Sequence, residues 1–305
     1  MSRDLFENAI VVLNQDAGGV INSATESPGK HIETFFEKRK RKVKLMEVPP
    51  TEIETVLSEL SGTVPSLIIA AGGDGTVSAC AKAAIDLSVP LGILPMGTFN
   101  HVARDMKIPL DLEEAIDALS EGQVSSIDVG SVNGRQFLSA CVLGFYPDKI
   151  YTDEDRGQLW WHKISRYFFT GLRILPHYRP MNLRFETHSR VFRSRTSFVV
   201  ISNNPYLDQA GVMPAKEEFD SGNLGLYVST HHTRRELMEA GKAFLLGSLL
   251  ENPDLKTEKA PQVTVYSRKK CLKTLVDGEL FNFTTPLTFN SNHCSLQVVR
   301  PVKLL

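Results

Sequence analysis

Residues 66–76 (Ser-Leu-Ile-Ile-Ala-Ala-Gly-Gly-Asp-Gly-Thr) run an apolar, strand-like segment into Gly72, Gly73, Asp74, Gly75 and Thr76, ahead of a helical pattern. A glycine-rich turn at a helix start exposes backbone N–H groups with no Cβ in the way, and the helix dipole favours an anion there. Phosphate is the natural guest. Asp74 refines the reading, because a carboxylate among phosphate-binding glycines repels the phosphate unless a cation such as Mg²⁺ bridges the two. The pairing points to a magnesium-bound nucleotide. The turn is not a dinucleotide fingerprint, since Ser78 occupies the third glycine position. Residues 92–98 (GILPMGT) have Walker-like glycine spacing but lack the lysine before Thr98. A plain strand-to-helix turn is the competing reading.

A second turn, 95–104 (PMGTFNHVAR), follows the next short apolar run, so Gly97, Thr98 and Asn100 are expected at the same carboxyl edge of a sheet. Late in the chain, Asp277-Gly278-Glu279 sets a carboxylate on either side of a glycine. Phosphoryl transfer to an alcohol needs held phosphates, a cation to absorb charge and a carboxylate near the attacking hydroxyl. Taken alone, the same tripeptide reads as an exposed hairpin turn.

The elements that must position these residues change in texture along the chain. Residues 9–13, 43–48, 66–71 and 90–94 read as short buried strands, alternating with helices over 32–41, 51–60 and 77–87. This βαβ alternation predicts a parallel sheet wrapped by helices. Beyond about residue 127 the segments shorten and alternate: 128–132, 135–142, 181–186, 197–201, 225–230, 262–267 and 272–276 predict a mostly antiparallel β domain. Helices are expected at 158–175 and 234–250, and a last strand at 295–299.

The ordered motifs resemble those of the diacylglycerol kinase catalytic-domain superfamily, and within it the soluble bacterial lipid kinases of the diacylglycerol and sphingosine kinase-like branch. The set begins at Asn14 in LNQDAGG, passes through GGDGT (72–76), GTFN (97–100) and Asp128-Val-Gly130, and closes with Asp277-Gly-Glu279. This resemblance implies an α/β + β architecture. A Rossmann-like three-layer nucleotide-binding domain of the NAD kinase and diacylglycerol kinase type (1–126) is followed by a β-sandwich lipid-substrate domain (127–293). A C-terminal segment (294–305) returns to the first domain, and the active site lies in the cleft between the two. It further implies ATP and Mg²⁺ as cofactors and a role in lipid metabolism and phospholipid biosynthesis.

Residue by residue, Asn14, Gly72, Gly73, Asp74, Gly75, Thr76 and Thr98 match positions that contact ATP or its magnesium, with Gly97 and Asn100 in the same second motif. Asp74 is thereby a catalytic and metal-ligand candidate. Asp277 and Glu279 match a motif in which one carboxylate accepts the lipid hydroxyl proton; Glu279 is the favoured base, Asp277 its orienting or magnesium-linked neighbour. Asp128 either carries a further carboxylate role toward metal or is a solvated acid at a strand start. Residues 219–224 (FDSGNL) resemble a family turn that holds a structural Mg²⁺, with Asp220 one place early because Ser221-Gly222 replaces the usual Asp-Gly. His101 departs from the family pattern, standing where many members carry Asp. An imidazole does not bring the same negative charge to a metal network.

A lipid kinase meets its substrate at a bilayer surface, through basic and aromatic side chains. Two segments qualify as peripheral contacts. Residues 38–44 hold six basic side chains in seven, and 159–169 (LWWHKISRYFF) combine both tryptophans with Lys163 and Arg166. The competing readings are a solvated helix end and a core helix. His231-His232 has no metal-ligand spacing.

Composition bounds the rest. The 305 residues suit about two domains, and 42% hydrophobic with 23% charged residues is a globular balance. A formal net charge of −1 gives no global field toward nucleic acid, and no nucleic-acid partner is expected. The start has no signal-peptide pattern and no run reaches membrane-spanning length. The scattered Cys80, Cys141, Cys271 and Cys294 read as reduced thiols of a cytoplasmic protein, peripheral at most to the inner face of the membrane. A homodimer stays open. Two other functions compete: a nucleotide- or lipid-binding regulator with little turnover, and an NAD kinase-like enzyme acting on a non-lipid alcohol.

Overall fold

The computed structural model describes residues 4–17, 27–144, 180–207, 216, 218–230, 236 and 254–302. The expected aromatic helix at 158–175, residues His231 and His232, and all but Glu236 of the helix expected at 234–250 lie outside them. The chain divides into two compact units, Met1–Ile127 with Cys294–Leu305, and Asp128–His293.

In the first unit, β1 (Ala9–Asn14), β2 (Val43–Val48), β3 (Leu67–Gly72) and β4 (Leu91–Pro95) form a parallel sheet in the order β2-β1-β3-β4. Ala9 stands opposite both Val43 and Leu67, and Ile68 opposite Leu91. Every residue of β3 and β4 is buried. That is the condition of parallel strands covered on both faces, and the reason these segments read as unbroken apolar runs. The chain leaves β1 toward β2 on one side and reaches β3 on the other, so the loops after β1 and β3 open at a switch point of the sheet.

Helix α1 (Pro28–Lys38) starts four residues earlier than periodicity suggests, because Ser27 caps it and Pro28 fits its first turn. Ile32, Phe35 and Phe36 form its buried face. It is followed by α2 (Ile53–Glu59) and by α3 (Asp74–Leu87), whose first turn takes in the glycine motif itself. Two helices stand where the sequence analysis places none, α4 (His101–Asp105) and α5 (Leu112–Glu121). The first is a single turn, too short to show a period. The second is set by its cap, Asp111 accepting from the N–H groups of Glu113 and Glu114, with Ala115, Ile116 and Leu119 inward.

The basic run 38–44 is partly internal. The Arg39 guanidinium pairs with Asp117 of α5 and holds that carboxyl below its usual range. Arg41 lies 4.7 Å over the Phe6 ring and donates to the Ser120 carbonyl at 3.3 Å. These two side chains tie the end of α1 to its surroundings instead of standing free at the surface.

The second unit is a pair of antiparallel sheets. β5 (Gln123–Val132) carries the chain into it, and β6 (Arg135–Phe137) and β7 (Ala140–Leu143) replace the single strand expected at 135–142. The break at Leu138 and Ser139 is where the chain changes sheets. Then come β8 (Met181–Thr187), β9 (Val191–Thr196), β10 (Val199–Asn203), β11 (Leu224–Ser229), β12 (Leu255–Ala260), β13 (Gln262–Ser267), β14 (Cys271–Val276), β15 (Glu279–Thr284) and β16 (Leu287–Arg300). One sheet runs β12-β11-β10-β7-β14-β15; facing it are β16-β13-β8-β9, with β5 and β6 beside β16. Phe137, Phe185, Leu226, Val263 and Phe289 are among the side chains that fill the space between. The C-terminal part of β16 belongs to the first unit, where it runs parallel to β4 with Val298 opposite Leu91.

The strands that hydrophobic pattern does not announce, β9, β12 and β15, are all end strands of a sheet. End strands keep charged and polar residues on their open side, which erases the apolar alternation. The glycine of Asp128-Val-Gly130 also has a packing cause: the Phe137 ring lies against its Cα across the β5–β6 pair, where a Cβ would stand.

Candidate active site

The first unit brings the two glycine motifs together. Gly73 is the cap residue before α3, in extended conformation, and a Cβ built on Gly97 would collide with its Cα. The loops after β3 and β4 therefore touch backbone to backbone, a closeness only glycine allows. The Met96 N–H donates to the Gly72 carbonyl at 3.0 Å, continuing the strand pairing into the loops. Asn100, in left-handed conformation at φ 52°, closes its own loop: its Oδ1 accepts from the Gly97 N–H and its Nδ2 donates to the Gly97 carbonyl, both at 2.9 Å.

Asp74 opens α3 and reaches the second loop, where its Oδ1 accepts from the Val102 N–H at 3.4 Å. Burial pushes its carboxyl above the usual range, against the pull of His101 and of the N–H groups of Val102, His101 and Asn100. A carboxylate held in that way gains from a cation at its free oxygen. The His101 ring stacks on Phe99, centroids 5.5 Å apart and planes at 5°. Asn14, at the end of β1, donates from Nδ2 to the buried Thr76 hydroxyl at 3.1 Å, and its Oδ1 accepts from the Asp16 N–H. Gly75 and Thr98 are exposed. The start of α3 thus presents backbone N–H groups along a glycine turn, edged by one carboxylate, and these residues fit a magnesium-bound nucleotide phosphate chain.

In the second unit, Asp277 and Gly278 form the two-residue turn between β14 and β15, with φ 46° and 91°. Both values are left-handed, as a tight hairpin of this type requires. The turn is also an anchor. The Asp277 carboxylate accepts from Leu138 N at 2.7 Å, Ser139 N at 2.8 Å and Ala140 N at 3.1 Å, filling the break between β6 and β7. Burial pushes this carboxyl above its usual range against those three N–H groups and the nearby Lys216, whose Nζ donates to the Ser139 carbonyl at 3.3 Å. Glu279, two residues on, is exposed at the start of β15. Of the two acids, Asp277 has its oxygens engaged and Glu279 faces solvent.

Asp128 lies within β5, fully buried, which corrects the reading of it as a solvated acid at a strand start. Its Oδ2 accepts from the Gly222 N–H at 2.7 Å, and its Oδ1 lies 2.9 Å from His293 Nδ1. Asp128 is therefore brought to the 219–224 turn, on which Asp220 is exposed. Asn204 accepts from both the N–H and the hydroxyl of Ser221 and holds the same turn. Sequence reasoning missed His293, Asn204 and Lys216. The first meets Asp128 across 165 positions, a separation no local pattern encodes.

This fold and site define an α/β nucleotide-handling domain joined to a β-sandwich. Residues 8–132 match the family described as diacylglycerol kinase catalytic domain, and residues 152–300 match the YegS C-terminal NAD kinase beta sandwich-like domain. Over residues 8–132 the chain is similar to the diacylglycerol kinase catalytic-domain family. It is 26% identical over 238 residues to the diacylglycerol kinase of Bacillus subtilis (strain 168), covering 77% of this chain and 78% of that one. With the diacylglycerol kinase of Staphylococcus haemolyticus (strain JCSC1435) it shares 24% over 237 residues, covering 77% and 71%. The fold matches a crystal structure of a diacylglycerol kinase from Bacillus anthracis str. Sterne, with a TM-score of 0.72 at 19% identity over 98% of this chain and 99% of that one. Among the described residues, no helix is long and apolar enough to cross a membrane.

Proposed function

We propose that this chain is a lipid kinase that transfers the γ-phosphoryl group of ATP, with magnesium, to the hydroxyl of a diacylglycerol-like lipid. The observation that carries the reading is the backbone contact of Gly73 with Gly97 at the start of α3, with Asp74 at its edge. A phosphate chain needs that open cradle, and a plain strand-to-helix turn does not. The B. subtilis and S. haemolyticus relatives support the choice of a lipid alcohol.

The N–H groups opening α3 take the phosphates, and Asp74 holds the cation, which when bound absorbs the charge of the transferring group. Asn14 and Thr76 fix the loop after β1 against α3, and Asn100 keeps the second loop shut on Gly97. Glu279 accepts the proton of the attacking hydroxyl. Asp277 holds the turn so that Glu279 keeps one backbone position; it is a positioning residue.

The test is transfer of labelled γ-phosphate to a total lipid extract in mixed micelles with Mg²⁺, comparing the wild type with Asp74→Ala and Glu279→Ala. A labelled lipid lost in both variants is expected. ATP binding without any labelled lipid would select the regulator reading, which rests on His101 standing in place of a second loop carboxylate. Label on a non-lipid alcohol would select the NAD kinase-like reading.

A further inference from the structure

The outer face of β9-β8-β13 carries a cationic surface that the kinase reading leaves without a role. Arg193 on β9, Arg184 on β8 and Tyr266 on β13 stand in one cross-strand row. Arg195 and Asn182 form the next row, and Arg268 follows just beyond β13. These side chains line one cavity of about 390 Å³. Residues 181–196 and 262–270 hold seven basic side chains against one acidic, Glu186, in a chain whose formal net charge is −1.

Two features show that the cluster is not a balanced structural network. Arg184 and Arg193 stand directly opposite each other, where like charges destabilise a sheet. Arg184 is the only one of the four with an ion pair among the described residues, Nη2 to Glu186 Oε2 at 2.7 Å. Its guanidinium also lies 4.5 Å over the Tyr266 ring, and its buried Nε has no hydrogen-bond partner among the described residues. Arg193, Arg195 and Arg268 are exposed. Cations on an end strand guard it against pairing with another sheet. That accounts for Arg193 and Arg195 on β9, but not for Arg184 one strand in or Arg268 two strands in, converging on the same cavity.

Several guanidinium forks around one cavity, with an aromatic ring in its lining, match the oxygens of phosphate groups. The geometry points to a docking surface for the phosphate headgroups of an anionic phospholipid bilayer. The choice of a bilayer over other polyanions rests on the lipid-kinase reading; the cationic cavity does not. Docking is read without turnover, so failure of one is distinguishable from failure of the other.

The test is cosedimentation of the whole chain, without ATP, with phosphatidylcholine vesicles and with mixed phosphatidylcholine–phosphatidylglycerol vesicles. The wild type is compared with Arg193→Gln/Arg195→Gln/Arg268→Gln and with a Lys40→Gln/Lys42→Gln/Lys44→Gln variant. Each basic side chain near an anionic surface adds about 1 kcal/mol, so the arginine variant is expected to lose binding to mixed vesicles by about 100-fold. It melts no lower than the wild type, and the lysine variant keeps its binding. Should the triple variant fold poorly, Arg195→Gln alone is expected to lose several-fold. Equal binding by the wild type and the arginine variant, no preference for mixed vesicles, or loss confined to the lysine variant overturns the proposal. Full release by inorganic phosphate would make the cavity a soluble-anion site. Tighter binding to a single-stranded RNA, lost in the same variant, would make it a nucleic-acid surface. Either result also overturns it.

Discussion

Gly97 faces Gly73 so closely that a single methyl on Gly97 would strike the Gly73 Cα, with Asn100 Oδ1 only 2.9 Å from it as well. The reverse is not symmetric, because a Cβ on Gly73 would lie 3.4 Å from the Gly97 Cα. The two glycines therefore separate folding from binding. Gly97→Ala forces the loops apart and is expected to lower stability by about 1–3 kcal/mol, as overpacking does, with loss of nucleotide binding. Gly73→Ala keeps the fold and weakens nucleotide binding, because its methyl stands where phosphate approaches. Melting curves with and without ATP and Mg²⁺ check both.

Asp74→Asn is expected to abolish phosphoryl transfer while raising the melting temperature at neutral pH. Burial holds this carboxyl above its usual range in the folded chain. A raised folded value means that its contribution to stability is whole below the unfolded value of about 3.9 and is lost as pH rises through the folded value. The asparagine variant escapes that loss. Its advantage over the wild type is expected at pH 7 and to narrow as pH falls toward 4, in melting curves taken without divalent cation.

The late acidic turn predicts a split between its two acids. Asp277→Ala leaves three backbone N–H groups at the β6–β7 break without their acceptor. Unsatisfied buried donors cost about 1–3 kcal/mol each, so a loss of about 3 kcal/mol or more is expected in chemical denaturation. Glu279→Gln replaces an exposed carboxylate with a neutral amide and leaves the denaturation midpoint in place, while lowering kcat by about 100-fold or more through loss of the base. If both substitutions changed stability alike, the division into positioning residue and base would be wrong.

Arg193→Thr is expected to stabilise the second unit slightly. It removes a like-charge pair with Arg184 and places a β-branched residue on a strand, a change worth about 0.2–1 kcal/mol. A higher melting temperature together with weaker binding to anionic vesicles would mark Arg193 as kept for binding at the expense of stability.

The nucleotide loops were legible because their chemistry is local. GGDGT and GTFN each sit at the end of a fully buried strand, and a parallel strand covered on both faces must be apolar throughout, so strand, turn and helix start follow in order along the chain. The Asp-Gly of the late turn was legible in the same way, since Asp-Gly suits the type I′ hairpin, which demands left-handed residues at both positions. What the turn does was not. The same sequence serves an exposed hairpin or a buried anchor, and only the break between β6 and β7 brings three N–H groups to Asp277.

The tertiary structure alone decided the rest. It buried Asp128 and paired it with His293, tied Arg39 to Asp117 and Arg41 to the Phe6 ring, and collected arginines from β8, from β9 and from just beyond β13 on one face. Residue type and spacing along the chain determine local conformation, turn chemistry and which strands lie inside. Which charges meet across long separations depends on strand order and register, and these come from the packing of whole sheets, to which β9 and β12 contribute while their own sequences carry little apolar signal.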